Sequence, residues 1–391
     1  MNSLIITSAR IFVKDDEYYI DSGLKATIDR YKQFFGNVTL FGMDGSDKGR
    51  IPKSAVLLDN TQVKIMGTLK DLYFGKADSL LSKEIPQYDL LILRVPSVIS
   101  NNAARIAKKM RKPYLVEVIG DAFGSLWYHS LRGKVLAIPA MIRTKKTIKH
   151  ANYAVYVSKF YLQSKYPCVN KSVGVSDCVI EPSSPESINK RIEHIRNFDC
   201  TSIKIMNAAA IDVKYKGQQY VIRAMARLKE NGIKSVFYIV GAGDKTYLER
   251  IAQKYGVDDQ VVFTGVLPHE NVLQLMETTD VYIQPSQTEA LPRSVVEALS
   301  KGCCCIGSDI GGIKELIPND YRVKPKDYKG ITDKILKYIN LSVSEKESLC
   351  YYYIDHSKNY EKTPLDKRRN DYYQYVYNDV TNNTEKLKTN E

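Results

Sequence analysis

The 391-residue sequence contains no apolar run approaching the ~20 residues that a bilayer-spanning helix requires. It opens MNSLIITSARIFVKDDEYY, with no small-residue cleavage site before an acidic cluster, and so reads as a first β-strand rather than a signal peptide. The seven cysteines (Cys168, Cys178, Cys200, Cys303, Cys304, Cys305 and Cys350) are odd in number and lack paired metal-ligand spacing. That pattern argues against a disulfide framework and predicts a reduced, cytoplasmic chain, with the consecutive Cys303–Cys305 packed in a core. The five His show no metal-ligand spacing either, and no catalytic metal is expected. No recognised nucleic-acid-binding motif is present, so no nucleic-acid partner is expected. With 44% hydrophobic and 26% charged residues, 22 Gly and 14 Pro, most of the chain falls outside the disordered and collagen-like classes.

What is present is length enough for two domains and a repeating rhythm of short apolar runs followed by amphipathic stretches. In the first half strands are predicted at 3–9, 37–43, 88–95, 114–120 and 153–157, with a helix at 98–111. After a polar stretch the rhythm restarts, with strands at 202–209, 235–240, 260–265, 281–286, 303–307 and 320–323. Near-continuous apolar strands separated by helices predict parallel sheets covered on both faces. The fold class is therefore α/β, with two Rossmann-like doubly wound domains facing a cleft. The expected boundaries are an N-terminal domain at 1–182, a linker at 183–200 and a C-terminal domain at 201–345. A Tyr-rich helical segment at 346–378 and a disordered tail at 379–391 follow.

The charge is unevenly placed. Lys and Arg exceed Asp and Glu by 57 to 44, a net +13, and residues 101–150 alone carry 11 Lys/Arg against Glu117 and Asp121, which is +9. Within that window, residues 126–150 combine Trp127 with Arg143, Lys145, Lys146 and Lys149 in a partly amphipathic stretch. Aromatics beside clustered cations suit an anionic membrane surface, and these five are the expected membrane contacts. A solvated basic helix face is the competing account.

The segment 281–302, VYIQPSQTEALPRSVVEALSKG, carries the chemistry. A strand runs into a loop with Glu289, Leu291 and Pro292 lead into a helix, and Glu297 lies within it. Unpaired N–H groups at a helix start and the helix dipole attract phosphate. Carboxylates on the loop and in the helix can accept hydrogen bonds from sugar hydroxyls. In a chain with 18 Glu, the Glu-x7-Glu spacing alone is uninformative; the surrounding blocks decide it. YKGQQYVIRAMARL (215–228), YIVGAGDKTYLERIA (238–252), VVFTGVLPHENV (261–272), PSQTEALPRSVVEALSKG (285–302) and SDIGGIKELI (308–317) occur in order. Together they resemble the donor-binding domain of glycosyltransferase family 4, whose members are retaining enzymes of the GT-B fold.

The resemblance implies several roles. Glu289 contacts the donor sugar, Glu297 holds the ribose and Lys216 pairs with the donor diphosphate. The family's Arg five residues before that Lys is replaced here by Ile211, and Lys214 is the candidate substitute. Gly241 and Gly243 allow close backbone approach to a nucleotide, or equally form a tight strand-to-helix turn. Gly23, at the start of the helix LKATIDRYKQFF, matches a small-residue loop near the diphosphate, or a plain helix cap. Asp121 stands where the family carries a catalytic-site His, either as a polar contact to donor sugar or acceptor or as a structural strand-end Asp. The absence of Asp-x-Asp agrees with metal-independent transfer. The implied activity is that of a hexosyl- or N-acetylhexosaminyltransferase, with a nucleotide-sugar donor, UDP-linked by family preference. The implied acceptor is polyprenyl-linked or an oligosaccharide, in bacterial capsule or O-antigen-type surface polysaccharide or glycolipid assembly. The implied location is the inner face of the cell membrane, as a peripheral protein, with the last helix returning to the N-terminal domain. No cofactor is expected. The alternative is a catalytically inactive GT-B-like partner subunit or glycan-binding protein.

Overall fold

The computed structural model describes residues 1–46, 49–52, 55–68, 71 and 76–389. They divide into two compact units. One comprises Met1–Phe123, Val135–Val175 and the C-terminal stretch from Asp366; the other comprises Gly124–Lys134 and Ser176–Leu365.

In the first unit, β1 (Asn2–Lys14), β3 (Asn37–Asp44), β5 (Gln62–Ile65), β6 (Leu90–Val95), β7 (Tyr114–Val118), β8 (Tyr153–Tyr156) and β9 (Ser172–Gly174) form a parallel sheet. Its order is β5-β3-β1-β6-β7-β8-β9. Leu4, Ile5, Leu40, Leu91, Ile92, Leu115 and Val116 are all fully buried, as expected for strands covered on both faces. The expected parallel sheet needs one addition. β1 runs on past its parallel partners and folds back as a hairpin onto β2 (Glu17–Asp21), which pairs antiparallel with β4 (Ala55–Leu57). Asp15 and Asp16, read in the sequence as part of an acidic cluster, have φ 51° and 61° and make the two-residue turn between Lys14 and Glu17. Positive φ at both turn positions matches the twist of the flanking strands.

The helix Ser22–Phe35 buries Leu24, Ile28, Tyr31 and Phe35. Tyr31 and Phe35 meet the ring of Tyr373, with centroids 5.2 and 5.5 Å apart. Tyr373 lies on the last helix, Lys362–Thr389, whose Tyr372, Val376 and Val380 join the same core. A disordered tail is expected at 379–391; the helix includes 379–389, and residues 390 and 391 lie outside the described residues. Tyr153 Oη donates to Asp379 at 2.5 Å and Val380 is 3% exposed, so packing holds a polar sequence helical.

In the second unit, β10 (Ser202–Ala208), β11 (Lys234–Val240), β12 (Val261–Gly265), β13 (Val281–Gln284), β14 (Cys304–Ser308) and β15 (Arg322–Val323) are all parallel. Their order is β12-β11-β10-β13-β14-β15. Cys303, Cys304 and Cys305 are buried at or in β14, as core packing requires.

The expected linker at 183–200 is instead largely a helix, Pro185–Arg196, capped by Ser184. Ile188, Ile192 and Ile195 recur at helical spacing and pack with Cys350 and Ile354. Its buried Arg191 donates to the carbonyls of Gly302, Thr279 and Asp280. This polar stretch therefore belongs to the second unit, whose longer segment begins at Ser176 rather than at 201. The segment expected at 346–378 is likewise divided. The helix Val343–Ser357 belongs to the second unit and the stretch from Asp366 to the first. Among the described residues, no helix is long and apolar enough to cross a membrane.

Candidate active site

Strand order in the second sheet reverses between β10 and β13. At such a switch point the connections leave in opposite directions and open a crevice outside the carboxyl ends of the strands. A cavity of about 600 Å³ lies there. It is lined by Ala208, the last residue of β10, with Ala209 and Ala210 after it, Gln284 at the end of β13, and Lys216, Glu289, Leu291 and Pro292, with Arg293, Ser294 and Glu297 from the next helix. Asp177–Val179 and His269 complete the wall.

Three donors converge on Glu289 Oε1: Lys216 Nζ at 2.8 Å, Ser286 Oγ at 2.8 Å and Gln284 Nε2 at 3.0 Å. Gln284 and Ser286 are 1% and 0% exposed. The Gln284 carboxamide is itself oriented, because its Oε1 accepts from Tyr282 Oη at 3.2 Å and from Asn207 Nδ2 at 3.4 Å, while its Nε2 also reaches Ser286 Oγ at 2.9 Å. A chain of hydrogen bonds thus runs from the sheet interior to the carboxylate and fixes its position. Lys216 has three N–H groups and gives one to Glu289, so two remain for an anion in the cavity. It sits in a single 3-10 turn, Lys214–Lys216, immediately before the helix Gln218–Glu230.

The helix Arg293–Ser300 begins at the cavity. Pro292, at its N-cap, has no N–H, so the amides of Arg293 and Ser294 are the first available donors. Glu297 lines the wall one turn on, its side chain 19% exposed, with Oε1 3.1 Å from His269 Nε2. Cys178 lines the cavity too, but burial and the Glu297 charge push its thiol up to about 12. It is therefore a neutral packing group there rather than a nucleophile.

Of the residues expected from the sequence, Lys216, Glu289, Leu291, Pro292 and Glu297 line this one cavity, and the others lie elsewhere. Lys214 places Nζ 4.5 Å from the centre of the Tyr247 ring and does not line the cavity. Ile211 is 6% exposed and packs in the core, so no side chain at 211 reaches this cavity. Gly241 and Gly243 are not in the wall either. A Cβ on Gly241 would stand 2.1 Å from Ala209 O, and one on Gly243 would stand 2.6 Å from Asp212 Oδ1. Both glycines are required by close packing of the β11 turn on the β10 turn.

In the first unit, the Gly23 amide is occupied by the helix-capping Asp21, which accepts from it at 3.0 Å. Asp121 is 6% exposed and has both oxygens filled. Oδ1 accepts from Tyr166 Oη at 2.6 Å and Phe123 N at 3.1 Å; Oδ2 accepts from Lys165 Nζ at 2.6 Å and Tyr161 Oη at 2.9 Å. Burial alone would push its pKa up, but these bonds and the Lys165 charge hold it below the usual carboxylate range. These four contacts are of the kind a structural strand-end Asp makes.

Sequence reading missed Arg293, His269, Gln284, Ser286 and Asp177–Val179. The signal for Gln284 and Ser286 was a polar pair closing an otherwise apolar strand. Asp177–Val179 carried none, since they precede the supposed linker.

Residues 202–355 match the family model of glycosyl transferases group 1. Protein CapJ of Staphylococcus aureus is 36% identical over 282 residues, covering 71% of this chain and 69% of that protein. The chain belongs to the glycosyl transferases group 1 family. A putative colanic acid biosynthesis glycosyltransferase, WcaL of Escherichia coli K12, is 26% identical over 155 residues, 37% of this chain and 38% of WcaL. Among solved structures, HepE from Anabaena in complex with UDP-glucose superposes with a TM-score of 0.63 at 15% identity, covering 94% of this chain and 97% of that one. The architecture of this group 1 glycosyltransferase is thus the GT-B fold.

Proposed function

We propose that this glycosyltransferase is a retaining enzyme that transfers a hexosyl or N-acetylhexosaminyl group from a UDP-sugar to a lipid-linked or glycan acceptor. The process served is surface polysaccharide or glycolipid biosynthesis. The observation that carries the reading is the convergence of Lys216, Glu289, Glu297 and a helix start on one cavity at the switch point. UDP as the nucleotude carrier is supported by HepE, which holds UDP-glucose on the same fold; polysaccharide assembly is supported by the likeness to WcaL.

In this scheme the diphosphate lies against the amides of Arg293 and Ser294 and the free N–H groups of Lys216. Those groups stabilise the charge that develops as the glycosidic bond breaks. Glu289, held by Gln284 and Ser286, receives sugar hydroxyls, and Glu297 receives the ribose. The departing phosphate oxygen accepts the proton of the attacking acceptor hydroxyl on the same face of the sugar, and no metal takes part. The protein works at the cytoplasmic face of a membrane, which it meets through the basic helix Leu131–Lys149. Leu131, Val135, Leu136, Ile138 and Ile142 on that helix are exposed beside its cations, and an apolar stripe next to clustered Lys suits an anionic lipid surface.

One observation favours a different reading. With the buried Ile211 in place of the family's Arg, the cavity has one cation fewer, as in a partner subunit without activity. Calorimetric titration with UDP, GDP, ADP, CDP and dTDP, with and without EDTA, separates the two. The transferase reading expects selective UDP binding, unaffected by EDTA and weakened by ~1–3 kcal/mol in Glu297→Ala. Binding of none of the five by wild type refutes it, and an unchanged affinity in Glu297→Ala removes the ribose assignment.

A further inference from the structure

A second cavity, of about 670 Å³, lies in the first unit between the helices Val98–Lys109 and Leu131–Lys149. Arg105, Lys108 and Lys109 line one side and Arg143, Lys146 and His150 the other, over a floor that includes Asn101 and Tyr114. No Asp or Glu is in its wall. Arg105 is paired with Asp78, but Lys108, Lys109, Arg143 and Lys146 have no acidic partner among the described residues. At the floor Asn101 Nδ2 ties the two helices by donating to Thr144 Oγ1 at 3.4 Å, and Tyr114 Oη ties β7 to the second helix by donating to the Thr147 carbonyl at 3.0 Å. Asn101 Oδ1 is buried and has no hydrogen-bond partner.

Lysines in the last turn of a helix are favoured by its dipole, and that accounts for Lys108, Lys109 and Lys146 one helix at a time. It does not account for Arg143, nor for two helices presenting their cations to one concave space with an unsatisfied amide at its base. Cations brought together without a counter-charge repel one another, and an anion seated among them relieves that cost. Tyr114 is the first residue of β7, so this cavity lies toward the amino end of that strand. The carboxyl ends, where ligands of doubly wound folds bind, are elsewhere.

We propose that this cavity is a binding site for a phosphate-bearing ligand, separate from the candidate active site. The guanidinium of Arg143 and the ammonium groups of Lys108, Lys109 and Lys146 engage the phosphate oxygens, and Asn101 meets a hydroxyl or oxygen of the group that carries it. The same chemistry is offered by an anionic lipid headgroup and by a free phosphate or diphosphate. The exposed apolar stripe on the helix that supplies Arg143 and Lys146 favours the lipid, and that choice rests on the membrane reading above.

The test uses the whole protein and a Lys108→Glu/Lys146→Glu variant. One arm measures co-sedimentation with vesicles of phosphatidylglycerol and phosphatidylcholine against phosphatidylcholine alone; the other measures binding of inorganic pyrophosphate by calorimetry. His150 is the internal probe. Burial and the charges of Lys108, Lys149 and Lys146 lower its pKa, so phosphate seated beside it raises the NMR titration midpoint. The site is supported where either ligand binds, moves His150 upward and weakens about tenfold or more in the variant. Vesicle binding with these signatures identifies the lipid source, and pyrophosphate binding with them but without vesicle binding identifies the soluble source. Wild type that binds neither ligand overturns the proposal. Vesicle binding that is insensitive to the variant and leaves His150 unmoved also overturns it, while leaving the membrane reading standing. UDP affinity, unchanged in the variant, confirms that the fold and the other cavity are intact.

Discussion

Replacing Lys216 with Met tests the centre of the proposed mechanism, because Met keeps most of the aliphatic stem and removes only the ammonium. In the free protein, Lys216 Nζ is 2.8 Å from Glu289 Oε1 and its side chain is 22% exposed. One of its three N–H groups is committed to Glu289, and the others are available to a diphosphate. A charge-assisted hydrogen bond contributes about 1.5–3 kcal/mol, so Lys216→Met raises the Kd for UDP about 10- to 150-fold. That range is a lower bound, since the Glu289 carboxylate, 12% exposed, then stands uncompensated beside the phosphates. The fold survives, because Gln284 and Ser286 still donate to Glu289. Calorimetry with UDP and with uridine separates the contributions, and thermal unfolding checks the fold. Uridine carries no phosphate and binds wild type and variant alike. Equal weakening of both ligands, or of neither, refutes a contact between Lys216 and the diphosphate.

Arg293→Ala removes a cation exposed at the cavity mouth, so it weakens UDP binding by about 1 kcal/mol and leaves uridine unaffected; an unchanged UDP affinity excludes Arg293 from the phosphate site. Asp121→Ala strips the acceptor from Lys165, Tyr166, Tyr161 and the Phe123 amide and destabilises the first unit by about 2–4 kcal/mol at pH 7. Because the folded-state pKa of Asp121 is depressed, its contribution is fully present above the unfolded value of about 3.9 and is lost as pH falls through the folded pKa. Urea unfolding at pH 7 and pH 3 therefore shows a gap between wild type and variant that narrows at the lower pH. A constant gap contradicts the ionic account of Asp121. Lost turnover with undiminished stability restores it as a contact to substrate.

Much of the candidate site was legible because its parts are close in sequence. Glu289, Leu291, Pro292 and Glu297 lie on one strand–loop–helix segment, and such a connection places its loop and first helical turn at the strand's carboxyl end. The supporting residues were not legible. Gln284 orients Glu289 only because Tyr282 and Asn207, on adjacent strands, orient Gln284. Lys214 and Lys216 are two residues apart in one short turn, and only its packing shows that one reaches Glu289 while the other lies over Tyr247.

By itself the sequence determined the two parallel sheets, through apolar runs too continuous for anything but strands buried on both faces. It also determined the helix start at Pro292 and the core placement of Cys303–Cys305. Tertiary structure decided where polar segments belong. Residues 185–196 and 379–389 look like linker and tail by composition, yet they are helices in the two units because Ile192 and Ile195 in one, and Asp379 and Val380 in the other, find partners distant in sequence. It also decided which charges act together. The Asp121 carboxylate accepts from Lys165 and Tyr166, more than 40 residues away, and the cations of two helices that are not consecutive in the chain converge on one cavity. Composition sets how much charge and apolar surface a chain carries, but hydrogen bonds and ion pairs depend on ångström-scale distances that only the folded chain brings about.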